Sequence, residues 1–473
     1  MDLLYRQFNY TIKPFNPPFA HIFISLYLPS YILLTLTSIF SNMYLKKPTN
    51  FCLYFYKHII LGGHMTNYEK VAHRRAKKAL RVVDASGAPL ANTTLQLKQT
   101  NHKFLFGWGS FDFNAHFAIK DQKAKEFFAE RMKIWMELFN YGTLPFYLGQ
   151  YEPEEGKPQW ESRMAAATYM KEHGIKAKGH PLCWHTVCAD WLMQYDNATI
   201  LKKQLARIER DVTQFKGTVD IWDVINEVVI MPVFDKYDNA ITRICQEYGR
   251  TELVKMVFNE AKQANPNSTL LLNDFNTSEK YAELIDNCLS AGAPIDVIGI
   301  QSHQHQGYWG AEKVHEVLDR FSRFGKPIHF TENTLISGDI MPAHIVDLND
   351  WQVSEWPSTP EGEERQKNEL EEMYRILFEH PLVEGITGWD FTDGMWLNAP
   401  SGILRKDNSK KPAFLRLQEM IHGEWKTDIE VTTDENGFVT VEGFKGDYDL
   451  ILGDKKAVLS LDLTESEPET VTL

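Results

Sequence analysis

Val219-Asp220-Ile221-Trp222-Asp223-Val224-Ile225-Asn226-Glu227 is an apolar run that ends abruptly in a polar pair. Val219 to Val224 has the length and β-branched content of a strand. Behind it lies Ile200 to Phe215, apolar at helical spacing and closed by Gly217, and ahead lies Glu252 to Ala264 with the same period. A strand set between two helices is a βα unit, and polar residues at the C-terminal end of its strand stand where such units carry chemistry.

Working outward, the same alternation recurs. Further candidate strands are Phe104 to Trp108, Phe139 to Leu144, Lys176 to Gly179, Thr269 to Leu272, Val297 to Ile300, Ile328 to Phe330 and Ile386 to Trp389. Helical stretches include Ala124 to Leu138, Ala311 to Phe324 closed by Gly325, and Glu363 to Phe378. Eight units over about 320 residues predict an α/β fold, a closed (β/α)8 TIM barrel. No GxGxxG or Walker-type loop follows the first strand, which argues against a nucleotide-binding open sheet.

The ends of these strands share one rim. On it stand His180 after the third strand, Asn226 and Glu227 after the fourth, Gln301 and His303 after the sixth, Glu332 after the seventh and Trp389 at the eighth. Alone, either glutamate reads as a solvated surface carboxylate. Together, ending the apolar runs Ile221 to Ile225 and Ile328 to Phe330, they point into one cup. Paired carboxylates about 5 to 5.5 Å apart serve retaining glycoside hydrolysis, one attacking the anomeric carbon and the other protonating the leaving oxygen. A rim holding His180, His185, His303 and His305 also raises a divalent metal site, although nothing at the expected strand ends completes one. Simple core packing is the plainer alternative for Trp389 and Trp396.

Residues from about 104 to 420 resemble glycoside hydrolase family 10, the β-xylanase family. The resemblance rests on Trp222-Asp223-Val224-Ile225-Asn226-Glu227, Phe330-Thr331-Glu332, Gly179-His180-Pro181-Leu182-Cys183-Trp184-His185 and Gln301-Ser302-His303. Trp389-Asp390-Phe391-Thr392-Asp393 with Trp396, and then Lys411-Pro412-Ala413, complete it. It implies Glu227 as general acid/base, Glu332 as nucleophile and Asn226 as partner of a sugar 2-hydroxyl. It also implies that His303 hydrogen-bonds Glu332, and that His180, Trp184, Trp389 and Trp396 line the reacting sugar's subsite. The implied activity is endo-1,4-β-xylanase, retaining, without cofactor or metal.

The chain departs from the family after the second strand. A Glu-Asn pair and a Lys that contact the glycone sugars are replaced by Thr143-Leu144-Pro145-Phe146-Tyr147-Leu148-Gly149-Gln150-Tyr151-Glu152, and Asn333-Thr334 follow Glu332 where an acidic residue is common. These changes predict a more apolar or more closed glycone side. Short xylo-oligosaccharides, decorated xylan or another β-glycoside or glucan stay open as substrates, and a catalytically dead carbohydrate-binding barrel is the rival outside enzymes. The segment Asn333 to Gly362, with Trp351, Trp356 and Pro357, exceeds an ordinary βα loop and either walls the cleft or packs structurally.

Flanking segments have another character. Lys78 to Phe106 alternates around Ser86-Gly87, with Leu80 and Val82 on one arm and Leu95 and Leu97 on the other, and reads as a β-hairpin. Thr427 to Leu473 alternates around Glu435-Asn436-Gly437 and Gly453-Asp454, so the two ends are expected to form a small accessory β-module. The organisation read is 1–64 as an apolar extension, 65–103 as the hairpin region, 104–424 as the barrel and 425–473 as the β tail.

With 473 residues, 43% apolar and 24% charged, the composition is that of a globular protein. A net charge of -13 offers no basic field for nucleic acid, so the expected partner is a neutral carbohydrate. Five scattered cysteines (Cys52, Cys183, Cys188, Cys245, Cys288) without CxxC spacing read as free thiols. Before position 65 only Asp2 is acidic, against Arg6, Lys13, Lys46, Lys47 and Lys57. Within this extension Phe19 to Phe40 suggests a signal anchor or span, the one route to a membrane. The favoured alternative starts translation at Met65, because Leu61-Gly62-Gly63-His64 can be encoded by a purine-rich ribosome-binding sequence; the product is then expected in the cytoplasm.

Overall fold

The computed structural model describes residues 68–473, so the readings made for Phe19 to Phe40 and for a start at Met65 lie outside the described residues. No helix among the described residues is long and apolar enough to cross a membrane.

Two strands come first, β1 (Arg75–Val83) and β2 (Thr94–His102). The barrel follows as β3 (Leu105–Gly109), β4 (Tyr141–Pro145), β5 (Lys176–His180), β6 (Val219–Asn226), β7 (Thr269–Asp274), β8 (Val297–Gln304), β9 (Ile328–Leu335) and β10 (Val383–Gly388). All eight are parallel, and β10 closes the ring by pairing Gly385 with Leu105 and Gly388 with Trp108. Every expected strand is present. Several run further than expected, because polar rim residues such as Gln301 to Gln304 and Glu332 to Thr334 continue the backbone ladder beyond the apolar runs.

Parallel strands are covered on both faces, so their residues are largely buried, and all eight residues of β9 are. Two indoles on the outer, helix-facing side of the barrel strands sit where a glycine on the neighbouring strand leaves room. A Cβ on Gly179 would stand 2.1 Å from the Trp222 ring, and one on Gly388 would stand 2.2 Å from Trp108. The glycine before His180 therefore lets Trp222 seat β6 tightly against β5. Around the barrel the helix Asn197–Gln214 starts where Asp196 accepts from the Thr199 amide at 2.8 Å, and its buried face includes Ile200, Ile208 and Val212.

The flanking strands form the accessory β-module, but the hairpin expected over 78–106 is not formed. β1 pairs with β12 (Phe438–Phe444) and β15 (Glu465–Thr472), whereas β2 pairs with β11 (Asp428–Thr432) and β13 (Gly446–Leu452), which continues to β14 (Lys455–Leu461). Leu80, Val82, Leu95 and Leu97 meet across the two sheets in one core with Val441, Tyr448, Leu450 and Leu461. The period-two alternation is the same for a hairpin and for strands facing each other in a sandwich, which is why the pattern alone misled. Gly453-Asp454 does join a true hairpin, with Leu452 opposite Lys455. The turn through Gly437 instead carries the chain from one sheet to the other.

Candidate active site

Asn226 ends β6, and Glu227 follows it with a backbone φ of 60°. Glu332, within β9, has a φ of 58°. Left-handed backbone is unusual for glutamate and is held here by irregular pairing: the ladder shifts register between Gln301 and His303 and between Ile386 and Gly388, the two places where β9 meets its neighbours around Glu332. The Glu227 amide is fixed by donating to the Asn273 carbonyl at 2.8 Å.

Around Glu227, the Trp184 indole donates to Oε2 at 2.8 Å, while the side-chain amides of Gln301 and Asn226 donate to Oε1 at 3.1 and 3.2 Å. Enclosure by protein, and then the nearby charge of Glu332, push its carboxyl up to about 8, against the hydrogen bonds from Trp184 and Gln301. At neutral pH Glu227 carries a proton.

Glu332 is held the other way. Oε1 accepts from the Asn273 side chain at 2.7 Å, Oε2 lies 3.1 Å from His303 Nε2, and His180 Nδ1 stands 3.9 Å from Oε1. Burial alone would raise its carboxyl, but the attraction of His180, the hydrogen bond from His303 and the cation of Lys178 outweigh it and hold it below the ordinary glutamate range. Beneath lies a buried ion pair. Lys178 Nζ is 2.6 Å from Asp223 Oδ2, and His180 Nδ1 is 2.7 Å from the same oxygen.

Asn273 links the two halves, donating to Glu332 and, at 2.8 Å, to Asn226 Oδ1, and accepting from Thr331 Oγ1 at 2.6 Å. Gln301 also donates to Asn226 Oδ1, at 3.0 Å. The aromatic walls are Trp389, edge-on to His180 at 5.3 Å and to His303 at 6.0 Å, and Trp396, whose ring lies 4.7 Å from His303. The seven residues expected at the rim, with Trp184 and Trp396 of the implied sugar subsite, thus stand in one contact network. Asn273, Lys178, Asp223 and Tyr147 were not anticipated. Asn273 was the signal overlooked, a polar residue at the end of the fifth strand, and Lys178 was visible as a charge inside a barrel strand.

The four histidines of the metal reading do not converge. His185 packs edge-on to Phe234 at 4.5 Å, and His305 lies under Trp396 and Trp356, where burial first and then His303 drive it down to about 3. Among the described residues the group with metal-ligand spacing is His180, Asp223 and Glu332, whose ligand atoms lie within 4.8 Å of one another. The Lys178 ammonium beside Asp223 already supplies the cation there, so this donor set does not fit a metal.

On the glycone side, the divergent stretch turns into the short helix Leu148–Tyr151, and Tyr147 places its ring 5.6 Å from both His180 and Trp184. Glu152 is taken up structurally, paired with Arg210 at 2.8 Å and accepting from the Gly156 amide at 2.7 Å.

Two carboxyl groups of opposite protonation state, aromatic walls and amide donors make a site for acid/base chemistry on a neutral polyol. The model of Glycosyl hydrolase family 10 matches residues 143–420. An anti-sigma-I factor, RsgI6, of Acetivibrio thermocellus is 25% identical over 387 residues, covering 79% of this chain and 44% of that protein. An endo-1,4-beta-xylanase/feruloyl esterase of Xylanibacter ruminicola is 25% identical over 297 residues, covering 56% of this chain and 39% of that protein. The chain therefore spans less than half the length of these two relatives. The solved structure of xylanase 10B from Thermotoga petrophila RKU-1 in complex with xylobiose superposes with a TM-score of 0.56 at 20% identity, covering 68% of this chain and 94% of that one, which speaks for the shared fold. With more than half of its length matched by the family model, and with the motifs of the fourth and seventh barrel strands joined in one hydrogen-bond network through Asn273, this chain belongs to glycosyl hydrolase family 10.

Proposed function

We propose that the chain is a retaining glycoside hydrolase that cleaves internal β-1,4-xylosidic bonds of xylan or xylo-oligosaccharides. The observation that carries this reading is that Asn273 and Asn226 tie Glu227 and Glu332 into one buried network, whose surroundings push Glu227 up to about 8 and hold Glu332 low. Glu332 attacks the anomeric carbon as Glu227 gives its proton to the leaving oxygen. Esterification removes the negative charge of Glu332, one of the influences that raised Glu227, so Glu227 ionises more readily and is available as the base for the water that frees the sugar. Asn226, Gln301 and His180 offer polar contacts to sugar hydroxyls, and Trp184, Trp389 and Trp396 give flat apolar faces to a pyranose ring.

Similarity to an endo-1,4-beta-xylanase/feruloyl esterase and to a xylanase in complex with xylobiose supports xylan. A specific observation favours a second reading, a related β-glycosidase acting on other β-linked oligosaccharides or glucans: Tyr147 takes the place of charged glycone contacts beside His180. Incubation with a panel of β-1,4-linked xylo- and gluco-oligosaccharides, with fresh products followed by proton NMR, separates the two. Initial release of β-anomers from xylohexaose supports the first reading. Turnover of gluco-oligosaccharides alone supports the second, and α-anomers as first products would contradict both.

A further inference from the structure

The loop after β6 and the loop after β9 meet above the barrel. Lys236, in the first, places Nζ 2.7 Å from Asp347 Oδ2 and 2.7 Å from Asp350 Oδ1, both in the second. Each side of this bridge is anchored. Phe234 rests on His185 at 4.5 Å and on Tyr237 at 4.9 Å. The far loop has a small apolar core of its own, built from Ile336, Met341, Trp356 and Ala399 with Leu348 and Trp351 packed against it. It also reaches the reacting centre: Asn349 accepts from the Trp396 indole at 3.2 Å, and Trp396 lies 4.7 Å from His303, which in turn touches Glu332.

The position of the bridge matters because Glu227 and Glu332 extend from the same two strands, β6 and β9. A sugar chain processed by both must lie between them and leave the barrel mouth on two sides. Lys236 joins the loops that follow these two strands, while its neighbours Phe234 and Asn349 reach His185 after β5 and Trp396 after β10, so the bridge crosses the rim of the mouth between the two carboxyl groups. The bridge is exposed, with Lys236 41% and Asp350 63% accessible, so it opens at little cost and acts as a yielding barrier.

We propose that Lys236, with Asp347 and Asp350, determines substrate length: the bridge spans the sugar path and favours short, unbranched β-1,4-xylo-oligosaccharides over long or decorated chains. This rests on the xylanolytic reading of the site. The test compares the parent with Lys236→Ala and, separately, with the double variant Asp347→Asn/Asp350→Asn, each first checked for an unchanged melting midpoint. Values of kcat/KM are measured on an aryl β-xylobioside and on soluble branched xylan. The expected result is a rise of threefold or more in the ratio of polymer to short-substrate rates in both variants, with the aryl xylobioside rate within twofold of the parent. An unchanged ratio in both overturns the bridge while leaving the enzyme's assignment standing. A parent inactive on both substrates overturns the xylanolytic reading and this inference with it.

Discussion

Lys178 and Asp223 form an ion pair of 2.6 Å with both side chains wholly enclosed, directly under the site. Lys178→Met leaves the Asp223 carboxylate without its cation. Breaking a buried pair from one side costs about 3 to 5 kcal/mol, so a melting midpoint lowered on the order of 10 °C is expected by calorimetry. Lys178 also helps hold Glu332 low. Its loss moves the acidic limb of kcat/KM to higher pH, a change that mere loosening of the fold does not make.

Ionised Glu332 and protonated Glu227 together define the active form. Activity therefore falls below the depressed value of Glu332 and above the value near 8 of Glu227. Trp184→Phe removes a donor that favours ionised Glu227, which raises Glu227 further and shifts the alkaline limb upward. A limb that stays in place, or moves down, on an aryl β-xyloside contradicts this assignment of the proton.

His303→Ala withdraws a hydrogen bond that lowers Glu332. The acidic limb should shift upward, and kcat on an aryl xyloside should fall by roughly 10-fold or more, since the nucleophile loses both charge and orientation. Unaltered limbs would show that Asn273 and His180 suffice.

How far these features could be read in advance differs by their physical origin. The eight strands, the rim and the pair Glu227 and Glu332 were legible because burial on both faces writes an apolar run, and chemistry begins where the run stops. Asn273 was passed over because its role comes from hydrogen bonds to Asn226, Thr331 and Glu332 on other strands, none adjacent in sequence. Lys178 and Asp223 lie on neighbouring strands and owe their importance to each other. The misread hairpin has the reverse cause: Leu80 and Leu97 alternate as paired strands would, while their partners lie more than 330 residues further on, Val439 for Leu80 and, for the neighbouring Leu95, Val431. Aromatic content over 143–152 was visible, but only the fold shows Tyr147 beside His180 and Glu152 spent on Arg210.

Stability and function should oppose each other at Glu227. Its carboxyl titrates near 8 in the folded chain and near the ordinary 4.5 when unfolded. Between those values the folded state binds the extra proton, so this residue's contribution to stability is greatest below pH 4.5, declines as pH rises and levels off above 8. Glu227→Gln removes the decline. The variant should gain a few degrees in melting midpoint at pH 8 relative to the parent, with the gain vanishing near pH 4, while xylan hydrolysis drops by about 100-fold or more. A gain equal at both pH values would point to packing rather than titration.

The central claim is that Glu332 forms the covalent bond to the sugar. Treatment with an activated 2-deoxy-2-fluoro-β-xylobioside, followed by intact-mass measurement and peptide mapping, tests it most directly. The account predicts one stoichiometric adduct on the peptide containing Phe330-Thr331-Glu332, absent in Glu332→Ala. An adduct on another carboxylate, or full turnover without any adduct, would contradict it.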